Sequence, residues 1–256
     1  MLIGMVHLLP LPGSPGFKGS VETIEERALK DAIKLEKAGF DAVIVENFGD
    51  QPFTVGSFGK EALVTMTRIV TKIIDSISLR VGINIEFNCW EDEIMMAKFT
   101  GASFVRIEVL SERRFHPCGV VEPCLAQFLR LRERLDARDI ELYADVEVKH
   151  TYPLVEIPKD EIIHFIHEYA DAIIYTGEKT GVPPSLEDVQ HMRSIVSKKL
   201  LVGSGINVEN AREFLAYSDG LIVGSSIKVN GNVFNEVSLE RAKALADSIK
   251  NKEVVK

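Results

Sequence analysis

Short apolar runs alternate with longer stretches of helical period along the whole chain. Leu2–Leu9, Asp41–Asn47, Arg80–Asn88, Phe104–Leu110, Glu141–His150, Asp171–Gly177, Leu200–Ile206 and Gly220–Ile227 predict eight strands. Between them apolar residues recur at i, i+3 and i+4. Ile24, Ala28 and Leu35 mark one face of Val21–Ala38, and Leu239, Ala242, Ala246 and Ile249 do so in Ser238–Lys250. Four helix-to-strand junctions share a hinge of small residues followed by Asp or Ser: Ala38-Gly39-Phe40-Asp41, Thr100-Gly101-Ala102-Ser103, Tyr169-Ala170-Asp171 and Tyr217-Ser218-Asp219. A glycine just past a helix is the left-handed cap that turns the chain back toward a sheet. Eight strand-then-helix units in 256 residues are the arithmetic of an α/β protein with one domain, a (β/α)8 TIM barrel, in preference to a doubly wound open sheet. No Gly/Ser linker or shift in composition divides residues 1–256.

Period-2 alternation then sorts the side chains. The third strand opposes Ile83, Ile85 and Phe87 to Asn84, Glu86 and Asn88. The fourth opposes Val105, Ile107 and Val109 to Arg106 and Glu108, and the fifth opposes Leu142, Ala144, Val146 and Val148 to Tyr143, Asp145, Glu147 and Lys149. If the apolar sets face the helices, three neighbouring strands aim a charged set into the barrel. Buried charge is costly unless paired or metal-bound. Two readings follow: a salt-bridged layer plugging the barrel bottom, or a catalytic constellation at the strand C-terminal ends, where Asn88, Glu108 and Lys149 fall. A strand-end lysine loses hydration and becomes available for base or Schiff-base chemistry; its bland role is counter-ion to Asp145 or Glu147. Glu46 and Asn47 end the second strand, and alternation leaves open which of them points inward. His7 ends the first strand as a packed histidine or a catalyst. The Pro-rich loop of residues 10–19 reads as a lid or as an oligomer contact, so a homo-oligomer is compatible with the sequence.

Composition narrows the partners. Lys and Arg number 30 against 38 Asp and Glu, a net charge of −8, which argues against a nucleic-acid face. The 3 cysteines are too sparse and odd in number for a disulfide scaffold, and point to a reducing, cytoplasmic setting. No apolar run is long enough to span a membrane. His116, Cys118 and Cys124 lack a usual zinc spacing, and no motif for an organic cofactor stands out. No metal ligand set is assigned; the acidic interior leaves room for a divalent cation.

Anionic ligands remain open, because backbone N–H groups bind phosphate without a basic patch. The seventh strand runs into Gly203-Ser204-Gly205 and the eighth into Gly224-Ser225-Ser226, the usual phosphate position of barrel enzymes. Gly177 and Thr180, after the sixth strand, add a third flexible loop at the same rim. Tight turns that need small residues are the plainer explanation of these glycines.

Several of these stretches are specific when taken together. Residues 3–15, Ile3-Gly-Met-Val-His-Leu-Leu-Pro-Leu-Pro-Gly-Ser-Pro15, residues 45–50, Val45-Glu-Asn-Phe-Gly-Asp50, and residues 143–150, Tyr143-Ala-Asp-Val-Glu-Val-Lys-His150, together with Val202-Gly-Ser-Gly205 and Val223-Gly-Ser-Ser226, resemble the BtpA/SgcQ family in order across nearly the whole chain. The resemblance implies a ribulose-phosphate-binding type of barrel. It also implies a photosystem I biogenesis label, since a cyanobacterial member is linked to photosystem I accumulation at the thylakoid membrane. Glu108 stands where the family pattern leads us to expect Asn, and residues 111–123 and 87–90 look divergent.

These readings converge on an enzyme binding a small phosphorylated metabolite, a sugar phosphate or a nucleoside-derived phosphate, for isomerase, epimerase or lyase chemistry. Lys149 and Asp145 would move protons, with Glu46, Asn88, Glu108 and His7 around them. The alternative is a non-catalytic assembly or regulatory factor peripheral to a membrane complex.

Overall fold

The computed structural model describes residues 1–177 and 181–250. Eight parallel strands close into a barrel: β1 (Leu2–His7), β2 (Ala42–Glu46), β3 (Arg80–Asn84), β4 (Phe104–Ile107), β7 (Glu141–Val146), β9 (Ala172–Thr176), β10 (Lys199–Gly203) and β11 (Gly220–Val223). Around the barrel they follow the order β1-β11-β10-β9-β7-β4-β3-β2, with β1 paired to both β11 and β2. Helices α1 (Val21–Ala38), α2 (Lys60–Ile74), α3 (Trp90–Thr100), α4 (Leu125–Arg134), α5 (Lys159–Tyr169), α6 (Leu186–Ile195), α7 (Ala211–Leu215) and α8 (Leu239–Lys250) separate the strands and cover them.

The hinges do two jobs. Gly39 and Gly101 are left-handed caps, with φ of 83° and 85°, whereas Ala170 ends α5 in an extended conformation. The aspartate after the hinge clips the neighbouring strand. Asp41 accepts the Leu2 amide at 2.7 Å, Asp171 the Leu142 amide at 2.8 Å and Asp219 the Leu200 amide at 2.8 Å. Each carboxylate thus takes an N–H from the first or second residue of the strand beside its own, at the barrel's lower edge.

The lower barrel is filled by Ile3, Met5, Ile44, Phe104, Tyr143, Ile174, Leu201 and Ile222. Phe104 and Tyr143 stack with ring centroids 4.4 Å apart. Gly82 makes the space, because a Cβ there would sit 2.1 Å from Phe104 Cε2. At the lower rim the Tyr143 hydroxyl donates to Glu141 at 2.7 Å, and Arg80 and Lys199 pair with the same carboxylate. The plug is therefore aromatic and aliphatic, and the charged set from β3, β4 and β7 lies above it.

Strands end earlier than alternation predicts. β3 stops at Asn84 and β7 at Val146, and Asn88, Glu147 and His150 take left-handed φ of 62°, 59° and 59°. The inward assignment of Glu147 is overturned: the backbone turn swings it out to Lys159 at 2.8 Å and brings Val148 into the interior. Phe87 likewise leaves the helix-facing side expected for it and lines the interior. The divergent stretch after β4 is an antiparallel hairpin, β5 (Arg114–His116) and β6 (Gly119–Val121), joined by β8 (Tyr152–Pro153). This three-stranded sheet, in the order β6-β5-β8, stands beside the barrel mouth.

Candidate functional site

A cavity of about 820 Å³ opens at the C-terminal ends of the strands. Its floor is built from β2, β4 and β7 and from the residues after β3. Arg106 reaches Asp145 through two hydrogen bonds, at 2.9 and 3.3 Å, both groups buried. Planar two-point contact of this kind is the strongest form of the Arg–carboxylate pair. Glu46 is buried on the cavity side and faces His7 at 3.8 Å, while Asn47 points to the loops, accepting the Glu86 amide at 2.9 Å and donating to Asp50 at 3.1 Å. The choice that alternation leaves open is thus settled: Glu46 is inside.

Four carboxyl groups crowd this floor, and burial raises every one of them above the ordinary range. Burial, and then Glu86, raise Glu46 well above it. Burial and Glu108 push Glu86 up to about 7. Burial pushes Glu108 up to about 8, although Arg106 pulls the other way. Burial also raises Asp145 despite Arg106. Like charges close together in a dry site cannot all ionise, so protons are shared among them. Lys149 faces the same group and is lowered by burial and by Arg106, with Asp145 and Glu46 opposing. His7 is lowered well below its usual value by burial and by Lys228, so it faces Glu46 as a neutral ring. Glu108 Oε2 is buried without a hydrogen-bond partner.

The opposite side of the mouth carries the glycine-serine turns. Gly203, Ser204, Gly205, Gly224, Ser225 and Ser226 all line the cavity. Ser204, at φ 68°, has a buried hydroxyl with no partner. Ser226 Oγ donates to the Ile206 carbonyl at 2.6 Å and ties the two turns together. Gly205 also serves packing: a Cβ there would lie 2.3 Å from Pro183 N. Asn207 and Asn210 hold the turn before α7 by reciprocal side-chain contacts, Asn207 N to Asn210 Oδ1 at 2.9 Å and Asn210 N to Asn207 Oδ1 at 3.1 Å.

The residues singled out from sequence divide clearly. His7, Glu46, Glu108, Asp145, Lys149 and the six glycine-serine positions share the cavity. Asn88 does not line it: its amide donates to the Val109 and Glu122 carbonyls at 2.6 and 2.9 Å and accepts the Val109 amide at 2.8 Å, fastening two loops. Gly177 is also absent from the lining, and a Cβ on it would meet the Val182 carbonyl at 2.0 Å. Thr180 lies outside the described residues. Among the described residues no group of three or more His, Cys, Asp and Glu is placed to hold a metal ion. Cys89 and Cys124 are buried and Cys118 is exposed, all three as free thiols.

Sequence reasoning put Glu86 and Arg106 inside without giving them a part in the site. Strand alternation was the signal for both. The aromatic lining, Phe48, Phe53 and Phe87, had no signal of its own, since isolated Phe residues in loops are ordinary.

A closed parallel barrel with its cavity among the C-terminal strand ends defines a (β/α)8-barrel protein. Phosphoribosylanthranilate isomerase from Pyrococcus furiosus superposes with a TM-score of 0.61, at 12% identity, covering 98% of each chain. (S)-3-O-geranylgeranylglyceryl phosphate synthase from Thermoplasma acidophilum, in complex with sn-glycerol-1-phosphate, does so at 0.60 and 16% identity over 98% of this chain and 93% of that one. The chain belongs to the BtpA family, whose model matches residues 1–251. An uncharacterised Pyrococcus abyssi protein is 40% identical over 98% of this chain and 96% of its own, and the photosystem I biogenesis protein BtpA of Synechocystis is 34% identical over 98% and 90%. Among the described residues no helix is long and apolar enough to cross a membrane.

Proposed function

We propose that the protein is an enzyme acting on a small phosphorylated metabolite, a sugar phosphate or a nucleoside-derived phosphate, with the phosphate held by the Gly203–Gly205 and Gly224–Ser226 turns. The observation that carries this reading is one cavity with two unlike ends. On the β10 and β11 side stand backbone N–H groups and the unpartnered Ser204 hydroxyl; on the floor stand carboxyl groups able to exchange protons near neutral pH. A group whose pKa lies close to the working pH is the efficient general acid or base. Lys149 and Asp145 carry proton transfer with Glu86 and Glu108 as the groups that exchange protons near neutral pH, Arg106 fixes Asp145, and Glu46 addresses hydroxyl groups. This suits isomerisation, epimerisation or carbon–carbon cleavage, in which protons move next to a carbonyl. The barrel neighbours named for a phosphoribosyl substrate and for bound sn-glycerol-1-phosphate support the phosphate end of this reading.

A thermal-shift series with inorganic phosphate, ribose 5-phosphate and sn-glycerol 1-phosphate tests it. At a hundredfold excess over Kd a ligand stabilises by about 2.7 kcal/mol, or roughly 5–10 °C for a chain of this size. Lys149→Met is expected to keep the shift and to lose at least about a hundredfold in turnover of whichever ester is consumed. Melting that no phosphate ester moves would sink the enzyme reading and favour a non-catalytic assembly factor, the role carried by the name of the Synechocystis relative.

A further inference from the structure

Strand order fixes what lies across the mouth from the phosphate turns. In the ring β1-β11-β10-β9-β7-β4-β3-β2, the pair facing β10 and β11 is β3 and β4. Above β3 and β4 the cavity has an aromatic wall. Phe87, after β3, packs its ring 4.1 Å from that of His116 on the β5 strand and 5.5 Å from Phe53 in the loop after β2. All three line the cavity. The proton-sharing carboxyl groups lie between this wall and the phosphate turns.

We infer that the ligand is a nucleoside monophosphate: its phosphate sits on the β10 and β11 turns, its ribose crosses the carboxyl floor, and its base lies on the Phe53–Phe87–His116 wall. This rests on the phosphate reading above and names the ligand class for it. Three observations support it. The cavity, at about 820 Å³, is far roomier than a triose or glycerol phosphate needs. Base rings stack on aromatic faces whatever their sequence identity, because every base has a π-face. The wall also has a polar edge. His116 Nδ1 accepts the Cys118 amide at 3.1 Å, leaving Nε2 as the ring's donor, and Gln51 lines the cavity beside Phe53. An isoprenoid tail would call for an apolar trough, whereas a base uses such an edge for its ring nitrogens and exocyclic groups. Ribose diols suit the floor as well, since buried carboxyl groups without full partners, as at Glu108 Oε2, are natural acceptors for hydroxyl donors.

The test is isothermal titration of AMP, GMP, CMP, UMP and ribose 5-phosphate into the wild type, Phe53→Ala, His116→Ala and Phe48→Ala, with melting curves to verify folding. At least one nucleotide is expected to bind about tenfold or more tighter than ribose 5-phosphate. Phe53→Ala and His116→Ala are each expected to lower its affinity about tenfold while leaving ribose 5-phosphate unchanged. Both residues sit outside the barrel strands, and because Phe53 packs on the buried Phe87–Val109–Val121 cluster the melting curves establish that its variant is folded. If ribose 5-phosphate binds as tightly as every nucleotide, the base inference falls and the phosphate reading stands. If neither ribose 5-phosphate nor any nucleotide binds, both fall. If the nucleotide's advantage vanishes in Phe48→Ala but survives in the other two variants, the wall is wrongly placed and the inference is overturned.

Discussion

At the scale of single residues, the floor of the cavity links protonation to stability. Glu108 and Glu86 hold protons to about 8 and about 7 in the folded chain, but release them near the ordinary glutamate value when unfolded. Between those limits the native state binds more protons than the unfolded one. The sign of the linkage for these two groups is therefore negative, and their contribution to stability falls as pH rises from about 4.5 to 8, against the opposite contribution of His7, whose folded-state value is lowered. Each such group contributes a slope of up to about 1.4 kcal/mol per pH unit. Glu108→Gln, which keeps the shape and cannot ionise, is expected to flatten the fall by up to that amount. Denaturant unfolding of both proteins at pH 5, 6, 7 and 8 measures it; parallel curves would show that Glu108 titrates alike in both states.

At the scale of elements, the strands and helices were legible from apolar periodicity, because each strand is buried on both faces and each helix on one. Their ends were less so. A turn over residues 86–88 that ends in left-handed Asn88, and left-handed Glu147, stop β3 and β7 early, and nothing in a run such as Val146-Glu147-Val148 announces a turn. The β5–β6–β8 sheet was missed because its strands are two or three residues long, below the reach of any period. In the site, polar alternation found Asp145 on β7 and Glu86 and Glu108 just after β3 and β4, and left Glu46 open against Asn47, whereas the aromatic wall assembles from three separate strand-to-helix connections and leaves no local trace. One hidden element-level constraint is Gly82, whose missing side chain lets β3 pass the stacked Phe104 ring. Gly82→Ala is expected to cost about 1–3 kcal/mol through overpacking. A Gly82→Ala/Phe104→Leu pair is expected to recover part of that loss in urea melts.

At the scale of the whole molecule, closure depends on the seam between β1 and β11. Behind it Lys228 is fully buried; its ammonium donates to the Met5 carbonyl at 3.0 Å and lies 3.4 Å from Asp31 Oδ2 on α1. Asp31 Oδ1 accepts the Val237 amide at 2.8 Å, so one carboxylate binds the first helix to the segment leading into α8. Arg27 also reaches Asp31 Oδ2 at 3.4 Å, so losing Lys228 leaves the carboxylate one cation, and the cost falls toward the low end of the about 3–5 kcal/mol of a fully stranded buried charge. Lys228→Met is expected to fall in that range, and Lys228→Met/Asp31→Asn to recover some of it; equal losses for both would show that the ion pair is not what Lys228 contributes.

The glycine-serine end of the cavity has a consequence for how an anion arrives there. Its described lining offers amides and hydroxyls, while the cations Arg106 and Lys149 belong to the floor. The molecule as a whole carries −8. Backbone dipoles act at contact, but net charge acts across a Debye length, about 8 Å at physiological ionic strength. On the phosphate reading proposed above, an incoming anion meets a net-negative molecule, and among the described lining residues the only Lys or Arg are Arg106 and Lys149 of the floor. On that reading, dilute buffer, which speeds capture by electrostatically steered enzymes, is expected to slow it here, and added salt to ease the encounter by screening the repulsion.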